Sequence, residues 1–283
     1  MNNVIEHQES RELLSDDIML WKYMSFEAFT AFIINSALWF TRVDKFPDKS
    51  EGLYPLTYYD VAFLAQEYES RHPNYPWNPG YGPRWQAEQT VLRHKMYTKH
   101  RIRWAVSSWR KGDKDSEAMW ATYSRLDSGI AIVSDVGRLR KSFQNPKWLV
   151  NIESVQYVDR DSFRFGKYKD SFLCKDDSFV YEHEIRAYID LLQGKTNPPI
   201  LEFSVDIDKP SDDIEPPQSS ILLELDGVDG AAVEVSLSDL ICRVVLAPQS
   251  PEWIVKLVQQ LVNMAELQCD CKKSSLYEYP KFR

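Results

Sequence analysis

Residues 182–186, within the stretch 179–190, carry two carboxylates and a guanidinium at alternate positions, in the order Glu182, Glu184 and Arg186. Read as a β-strand, the sequence F-V-Y-E-H-E-I-R-A-Y-I-D alternates between a polar face and a mostly apolar face. The polar face is either a solvated surface, as for most isolated charged strands, or an active-site surface on which Arg186 fixes a functional glutamate. The strand alone leaves both interpretations open.

His183 falls on the apolar side of this predicted strand, and we interpret it as a structural histidine rather than a base. A G-x-S-x-G nucleophile motif is absent from the sequence, which disfavours a hydrolase with a Ser-His-Asp triad.

A second acidic group, formed by Asp44, Asp48 and Glu51, precedes the two glutamates in the chain. Together these carboxylates have the oxygen ligands that a divalent cation prefers. Their spacing matches no diagnostic metal motif, and acidic surface turns usually bind nothing. The sequence therefore predicts no metal site, and a metal-dependent nuclease is kept as an alternative function.

A basic stretch at 84–111 contrasts with the overall formal charge of −8. It contains eight Lys or Arg residues against one acid, Glu88. Such a run is either a solvated helix face or a positive surface for a phosphate, a dinucleotide or a nucleic-acid backbone. It is the candidate contact surface for a nucleic-acid or protein partner.

The composition bounds the class of protein. With 283 residues, 43% of them hydrophobic and 13% aromatic, the chain can bury a large core. Its negative charge gives no general attraction to nucleic acid or anionic membranes. Four irregularly spaced cysteines are typical of reduced thiols, and neither a signal peptide nor a membrane span is recognised. We expect a cytoplasmic protein with no membrane contact.

Apolar periodicity and turn residues predict an α+β fold, with a mixed, mainly antiparallel sheet flanked by helices. One domain is expected over 1–283, with a helical, basic insertion near 55–101 and an exposed acidic loop at 206–220. The predicted strands are 18–24, 37–43, 102–109, 129–134, 149–158, 179–190, 200–205, 221–225, 231–237 and 241–246, with a final short strand in the tail. The predicted helices outside the insertion are 26–35, 116–123 and 251–267.

Several spaced motifs, taken in order, resemble a bacterial family named domain of unknown function family 2971. They are L-W-K-Y-M-S at 20–25, A-L-W-F-T at 37–41, F-P-D-K-S-E-G at 46–52, W-x-x-Y at 120–123, G-I-A-I at 129–132, E-H-E-I-R at 182–186 and the segment 241–248. The chain departs from the family pattern at Lys22, Pro47, Lys49 and Ile185, where members usually carry His, Asn, Pro and Trp.

The opening motifs also look, more remotely, like the first half of an ADP-ribosyltransferase-like fold. That resemblance implies an NAD-dependent enzyme, such as a toxin or antiphage effector that modifies nucleic acid or protein. It implies catalytic roles for Glu184 and Glu182. The cofactor contacts it implies are Lys22, Tyr23, Ser25, Trp39, Thr41 and Arg186. The basic residues that would contact phosphate or substrate are Arg93, Lys99, Arg101 and Arg103.

Two interpretations compete with these roles. The burial habits of large aromatic side chains place Trp39, Trp120 and Tyr123 in the core rather than on a ligand surface. A non-catalytic sensing or interaction domain would also accommodate the glutamates as structural residues. The sequence alone does not distinguish it from an enzyme.

Overall fold

A computed structural model describes residues 14–48, 51–52, 101–144, 147–159, 168–192 and 227–278. These residues confirm the predicted α+β class, with mainly antiparallel strands flanked by helices. The predicted insertion at 55–101, apart from its last residue, and the acidic loop at 206–220 lie outside the described residues.

The helices and strands are numbered in chain order. The strands are β1 (Met19–Met24), β2 (Ala37–Arg42), β3 (Trp104–Lys111), β4 (Ile130–Asp135), β5 (Asn151–Ser154), β6 (Gln156–Val158), β7 (Cys174–Asp176), β8 (Glu184–Asp190), β9 (Gly230–Glu234), β10 (Arg243–Leu246) and β11 (Asp270–Lys273). The α-helices are α1 (Phe26–Asn35), α2 (Glu117–Tyr123), α3 (Val136–Ser142), α4 (Leu237–Leu240) and α5 (Glu252–Met264). Short 3₁₀ helices cover Val43–Lys45, Arg101–Arg103, Tyr168–Leu173 and Asp177–Glu182.

The chain divides into two compact units, and the first consists of Met1–Phe26, Lys111–Ser142 and Ser236–Arg283. Its strands follow the order β11-β10-β4-β1, antiparallel except for the parallel pair β10–β11. One face buries an aromatic cluster, which we define as Trp21, Tyr23 and Trp120 with their apolar neighbours. Strand β4 is buried on both faces, and its residues 130–133 are accordingly all apolar.

The second unit consists of Glu27–Arg110 and Phe143–Val235. Its main strands follow the order β9-β2-β3-β8-β5, and every neighbouring pair is antiparallel. A separate parallel pair joins β6 to β7. Helix α1 belongs almost entirely to this unit and buries Phe29, Phe32 and Ile33.

Strand pairing assigns residues of the second unit to the two faces of its sheet. Residues directly opposite one another in antiparallel strands share a face, and Ser108 lies opposite Arg186 while Val106 lies opposite Tyr188. Glu184, two residues from Arg186, lies on the same face. We call this the carboxylate face. Thr41 belongs to it because it pairs with Val106.

Two predictions about aromatic side chains were wrong. Trp120 is fully buried as expected, but Trp39 is 52% exposed and Tyr123 is 43% exposed. Trp39 lies two residues from Thr41 on β2 and therefore projects from the carboxylate face. Tyr123 is the last residue of α2, whose buried residues are Met119 and Trp120.

Among the described helices, none combines the length and the apolar character that crossing a bilayer requires.

Candidate functional site

The E-x-E-x-R motif spans a turn rather than one continuous strand. Asp177–Glu182 forms a 3₁₀ helix, and its start is capped by the Asp176 carboxylate, which accepts from Ser178 N at 3.1 Å. The prediction of a strand from 179 was therefore wrong for its first five residues, and β8 begins at Glu184. His183 joins the two elements with a left-handed φ of 43°. It is exposed rather than on a buried apolar face.

Glu182 and Glu184, on either side of His183, both accept hydrogen bonds from the ammonium group of one lysine. Lys175, on β7, donates from Nζ to Glu182 Oε2 and, at 3.3 Å, to Glu184 Oε2. The Lys175 ammonium also lies 4.9 Å from the centre of the Phe179 ring. The two carboxylates are thus bridged by a cation that comes from outside the sequence motif.

Arg186 uses all three of its nitrogens within the unit. Nε donates to Glu184 Oε1 at 2.8 Å and Nη2 donates to Glu184 Oε2 at 2.9 Å, a bidentate pair. Nη2 also donates to Glu51, and Nη1 donates to the Phe172 carbonyl. The resemblance assigns Arg186 to cofactor binding. These contacts instead use it to hold carboxylates in place.

Together these side chains form a buried group of charges, which we call the charge cluster. Its members are Glu51, Lys175, Glu182, Glu184 and Arg186, each between 1% and 6% exposed. Three carboxylates and two cations leave a formal charge of −1. Buried charges are costly unless they are paired, and every member of the cluster has a partner of opposite sign.

The cluster keeps Glu184 ionised. Burial alone would raise the pKa of this carboxyl, but the charge and hydrogen bonds of Arg186, with help from Lys175 and Ser108, lower its pKa to about 2. Burial likewise opposes the charge on Lys175, yet Glu184 and Glu51 raise the pKa of its amine above the ordinary value. Glu184 is therefore an anion throughout the physiological range and does not serve as a proton donor.

Two half-buried hydroxyl groups contact Glu184. Ser108, on β3, hydrogen-bonds to its carboxylate. Tyr157, on β6, accepts a hydrogen bond at its hydroxyl oxygen from Glu184 N at 2.7 Å. Burial raises the pKa of the Tyr157 phenol to about 12. Neither Tyr157 nor Lys175 was a candidate from sequence, because no periodic pattern links the segment that carries them to the E-x-E-x-R motif.

The other predicted cofactor residues are distributed between the units. Trp39 and Thr41 share the carboxylate face of the second unit. Lys22, Tyr23 and Ser25 belong to the first unit. Tyr23 is buried, and its ring packs edge-to-face against the Trp120 ring with 4.9 Å between the ring centroids. Its hydroxyl oxygen accepts a hydrogen bond from Ser116 N at 3.0 Å. Its hydroxyl is thus part of the packing of that unit.

The basic candidates are tied to the same part of the second unit. Arg103 pairs with Asp190 at the end of β8, with Nε 2.8 Å from Oδ1. Arg101 donates from Nη1 to the Glu51 carbonyl at 3.3 Å. Arg93 and Lys99 lie outside the described residues. Arg101 therefore contacts the backbone of a charge-cluster residue, and Arg103 pairs with a residue on the same strand as Glu184 and Arg186.

Asp44 and Glu51, from the acidic group that precedes the two glutamates in the chain, are paired with arginines. Asp44 pairs with Arg42, with Nε 2.6 Å from Oδ1, and Glu51 pairs with Arg186. Within the described ranges, no group of three or more His, Cys, Asp or Glu side chains is arranged to hold a metal ion.

Comparisons with protein-family models, with curated proteins and with solved structures give no match. The resemblance to the bacterial family and to the ADP-ribosyltransferase-like fold therefore stays a prediction.

Proposed function

We propose that this chain is an ADP-ribosyltransferase-like enzyme that uses NAD, with Glu184 as its catalytic carboxylate and Glu182 as the second carboxylate of the site. One observation carries the proposal: Arg186 and Lys175 hold Glu184 as a permanent, fixed anion. Such a group suits a reaction in which positive charge develops next to it.

NAD, when bound, would supply ADP-ribose, since the bond between ribose and nicotinamide breaks and its electron pair leaves with nicotinamide. The ribose carbon gains positive charge in that step, as in glycoside cleavage. Glu184 would stabilise this charge through its field. Because Arg186 and Lys175 fix the carboxylate before the reaction, little reorganisation is needed when the charge appears.

The carboxylate face offers groups that fit the nicotinamide end of this cofactor. Trp39 presents a half-exposed ring suited to stacking on a flat heterocycle, and Thr41 lies on the same face. The charge cluster has a net negative charge, which favours the positively charged nicotinamide ring. We assign Arg186 a positioning role and expect the basic stretch at 84–111 to meet pyrophosphate or the nucleic-acid or protein target.

The test is turnover of NAD by the purified full chain, with RNA, DNA and cell protein offered as acceptors. Glu184→Gln keeps the shape of the side chain and removes its charge, so nicotinamide release should fall by roughly 100-fold to 1,000-fold. Glu117→Gln changes an exposed glutamate of the first unit and should leave the rate unchanged. Absence of NAD binding in calorimetry, together with an unaltered cellular phenotype of Glu184→Gln, would refute the proposal.

A non-catalytic interaction domain is the second candidate, and the burial of both glutamates favours it. Neutralising Glu182 and Glu184 together would then alter stability or partner binding, and no turnover would be lost.

The metal-dependent nuclease is the remaining alternative. It is tested by measuring cleavage of RNA and DNA without NAD, in the presence and in the absence of EDTA. Cleavage that EDTA abolishes would replace the transferase proposal with that alternative.

A further inference from the structure

Tyr157 is a partly accessible neighbour of the buried carboxylates. The parallel pairing of β6 with β7 places it opposite Lys175, while the charge cluster itself is at most 6% exposed. The Tyr157 side chain is half-buried. Its hydroxyl oxygen is fixed by the backbone N–H of Glu184 at 2.7 Å. A group that approaches the cluster on this side meets Tyr157.

The hydroxyl proton of Tyr157 remains available for a ligand. A phenol both accepts and donates, and here the accepting side is used by Glu184 N. Among the residues that the structure describes, no acceptor for the Tyr157 hydroxyl proton is found. Burial raises the pKa of this phenol to about 12, so the proton stays in place at physiological pH.

The charges around Tyr157 restrict which acceptor it can meet. Glu182, Glu184 and Lys175 all act on its hydroxyl, and the charge cluster as a whole is negative. A phosphate oxygen would be repelled there. An uncharged oxygen on a neutral or cationic group would be accepted, and in NAD the positive charge lies on the nicotinamide ring.

We propose that Tyr157 is the ligand-contacting donor of this site, and that its hydroxyl donates to an uncharged oxygen of the nicotinamide–ribose half of NAD. This inference rests on the proposed function. It assigns Tyr157 a direct contact with the cofactor, whereas Arg186 and Lys175 act through Glu184.

The experiment measures NAD and AMP affinity by calorimetry for the wild type, Tyr157→Phe and the control Tyr181→Phe. Tyr181 is exposed on the 3₁₀ helix that leads to β8. Loss of one neutral hydrogen bond should weaken NAD binding by about fivefold to tenfold in Tyr157→Phe. AMP affinity and both affinities of Tyr181→Phe should be unchanged. Unchanged NAD affinity in Tyr157→Phe, or an equal loss for AMP, would overturn the inference.

A second variant covers the case in which Tyr157→Phe fails to fold. Replacing Tyr157 with 3,5-difluorotyrosine keeps the oxygen that accepts from Glu184 N but makes the phenol more acidic. NAD affinity should then fall as the pH rises from neutral into the alkaline range, while that of the wild type stays level. The same dependence of NAD affinity on pH in the two proteins would overturn the inference. Absence of NAD binding by the wild type itself would instead refute the proposed function.

Discussion

The two units bury polar atoms in opposite ways. The aromatic cluster of the first unit uses neutral side chains whose polar tips find partners at its edge: Trp21 Nε1 donates to the Gly112 carbonyl at 2.7 Å, and Trp120 Nε1 donates to Asp115 at 3.1 Å. The second unit buries the charge cluster beside a small apolar cluster that contains Phe172 and Tyr188.

Packing energetics explain the aromatic cluster and the charge cluster to different extents. Burying aromatic rings stabilises a fold directly, whereas a buried ion pair roughly breaks even against apolar residues of the same volume. Packing therefore accounts for the aromatic cluster but does not require the charge cluster. Departures from the most stable packing are expected where a site needs particular chemistry, and the second unit has such a departure at Glu184.

The largest expected effect comes from removing the cation at the centre of the charge cluster. Arg186→Met keeps a long side chain but removes the ion-pair partner of Glu51 and leaves Glu184 with Lys175 alone. We expect the free energy of unfolding at neutral pH to fall by about 4 kcal/mol, because uncompensated charges stay buried. Urea denaturation measures the change.

Arg125→Met is the matched control, since Arg125 forms an exposed pair with Asp127 in the first unit. Its effect should stay within about 0.5 kcal/mol. If both variants lose the same free energy of unfolding, removing a cation from the charge cluster costs no more than removing an exposed one. That result would contradict the contrast between the units.

The next effect is a dependence of stability on acid pH that belongs to Glu184. Its pKa is about 2 in the fold against an ordinary value of 4.5. Its stabilisation is therefore complete above pH 4.5 and is lost as the pH falls through about 2. The difference is worth roughly 3 kcal/mol.

Unfolding of the wild type and of Glu184→Gln at a series of pH values tests this contribution. The gap in unfolding free energy between the two proteins should be widest near neutral pH and should narrow toward pH 2. A gap that stays constant over this range would show that the Glu184 carboxylate is not held charged by the fold.

A smaller effect is expected in the aromatic cluster. Trp120→Phe removes apolar area and the hydrogen bond to Asp115, which keeps its bond from Ser274 at 2.5 Å. We expect a loss of about 2 kcal/mol, equal at pH 5 and pH 8 because no buried charge is involved. A loss that varies with pH would indicate that this cluster is coupled to ionisable groups.

The smallest effect compares one type of hydrogen bond in two environments. Tyr188 is buried and donates to Glu153, whereas Tyr277 is exposed and donates to Glu117 at 2.6 Å. Tyr188→Phe should cost about 1 kcal/mol, and thermal unfolding of Tyr277→Phe should match the wild type. Equal shifts in the two variants would show that burial does not decide the value of this bond.

Much of the framework follows from local sequence patterns. Apolar periodicity placed β1, α1, β2 and β10 within two residues of their observed bounds. The motif around Glu184 was also recognised as a group that could do chemistry. These features depend on residues that are neighbours in the chain, and so they are visible without the structure.

The composition of the charge cluster could not be predicted in the same way. Lys175 reaches Glu182 and Glu184 from a separate strand, β7, and Glu51 reaches Arg186 across 135 positions of the chain. The prediction of a strand from 179 also overlooked a local signal. Asp176 and Ser178 are residue types that favour a turn, and the Asp176 carboxylate accepts a hydrogen bond from Ser178 N. The interpretation of the polar face of β8 as solvated was wrong, because Glu184 and Arg186 are buried. The active-site interpretation stays a prediction.

The position of Gly52 beside Arg101 has a consequence for how this chain can vary. A Cβ added at Gly52 would lie 3.9 Å from Arg101 Cβ, so the two described positions that flank residues 53–100 lie next to each other. Closing a loop costs little more when the loop is longer. A change of chain length between these two positions therefore need not displace Glu51, which pairs with Arg186.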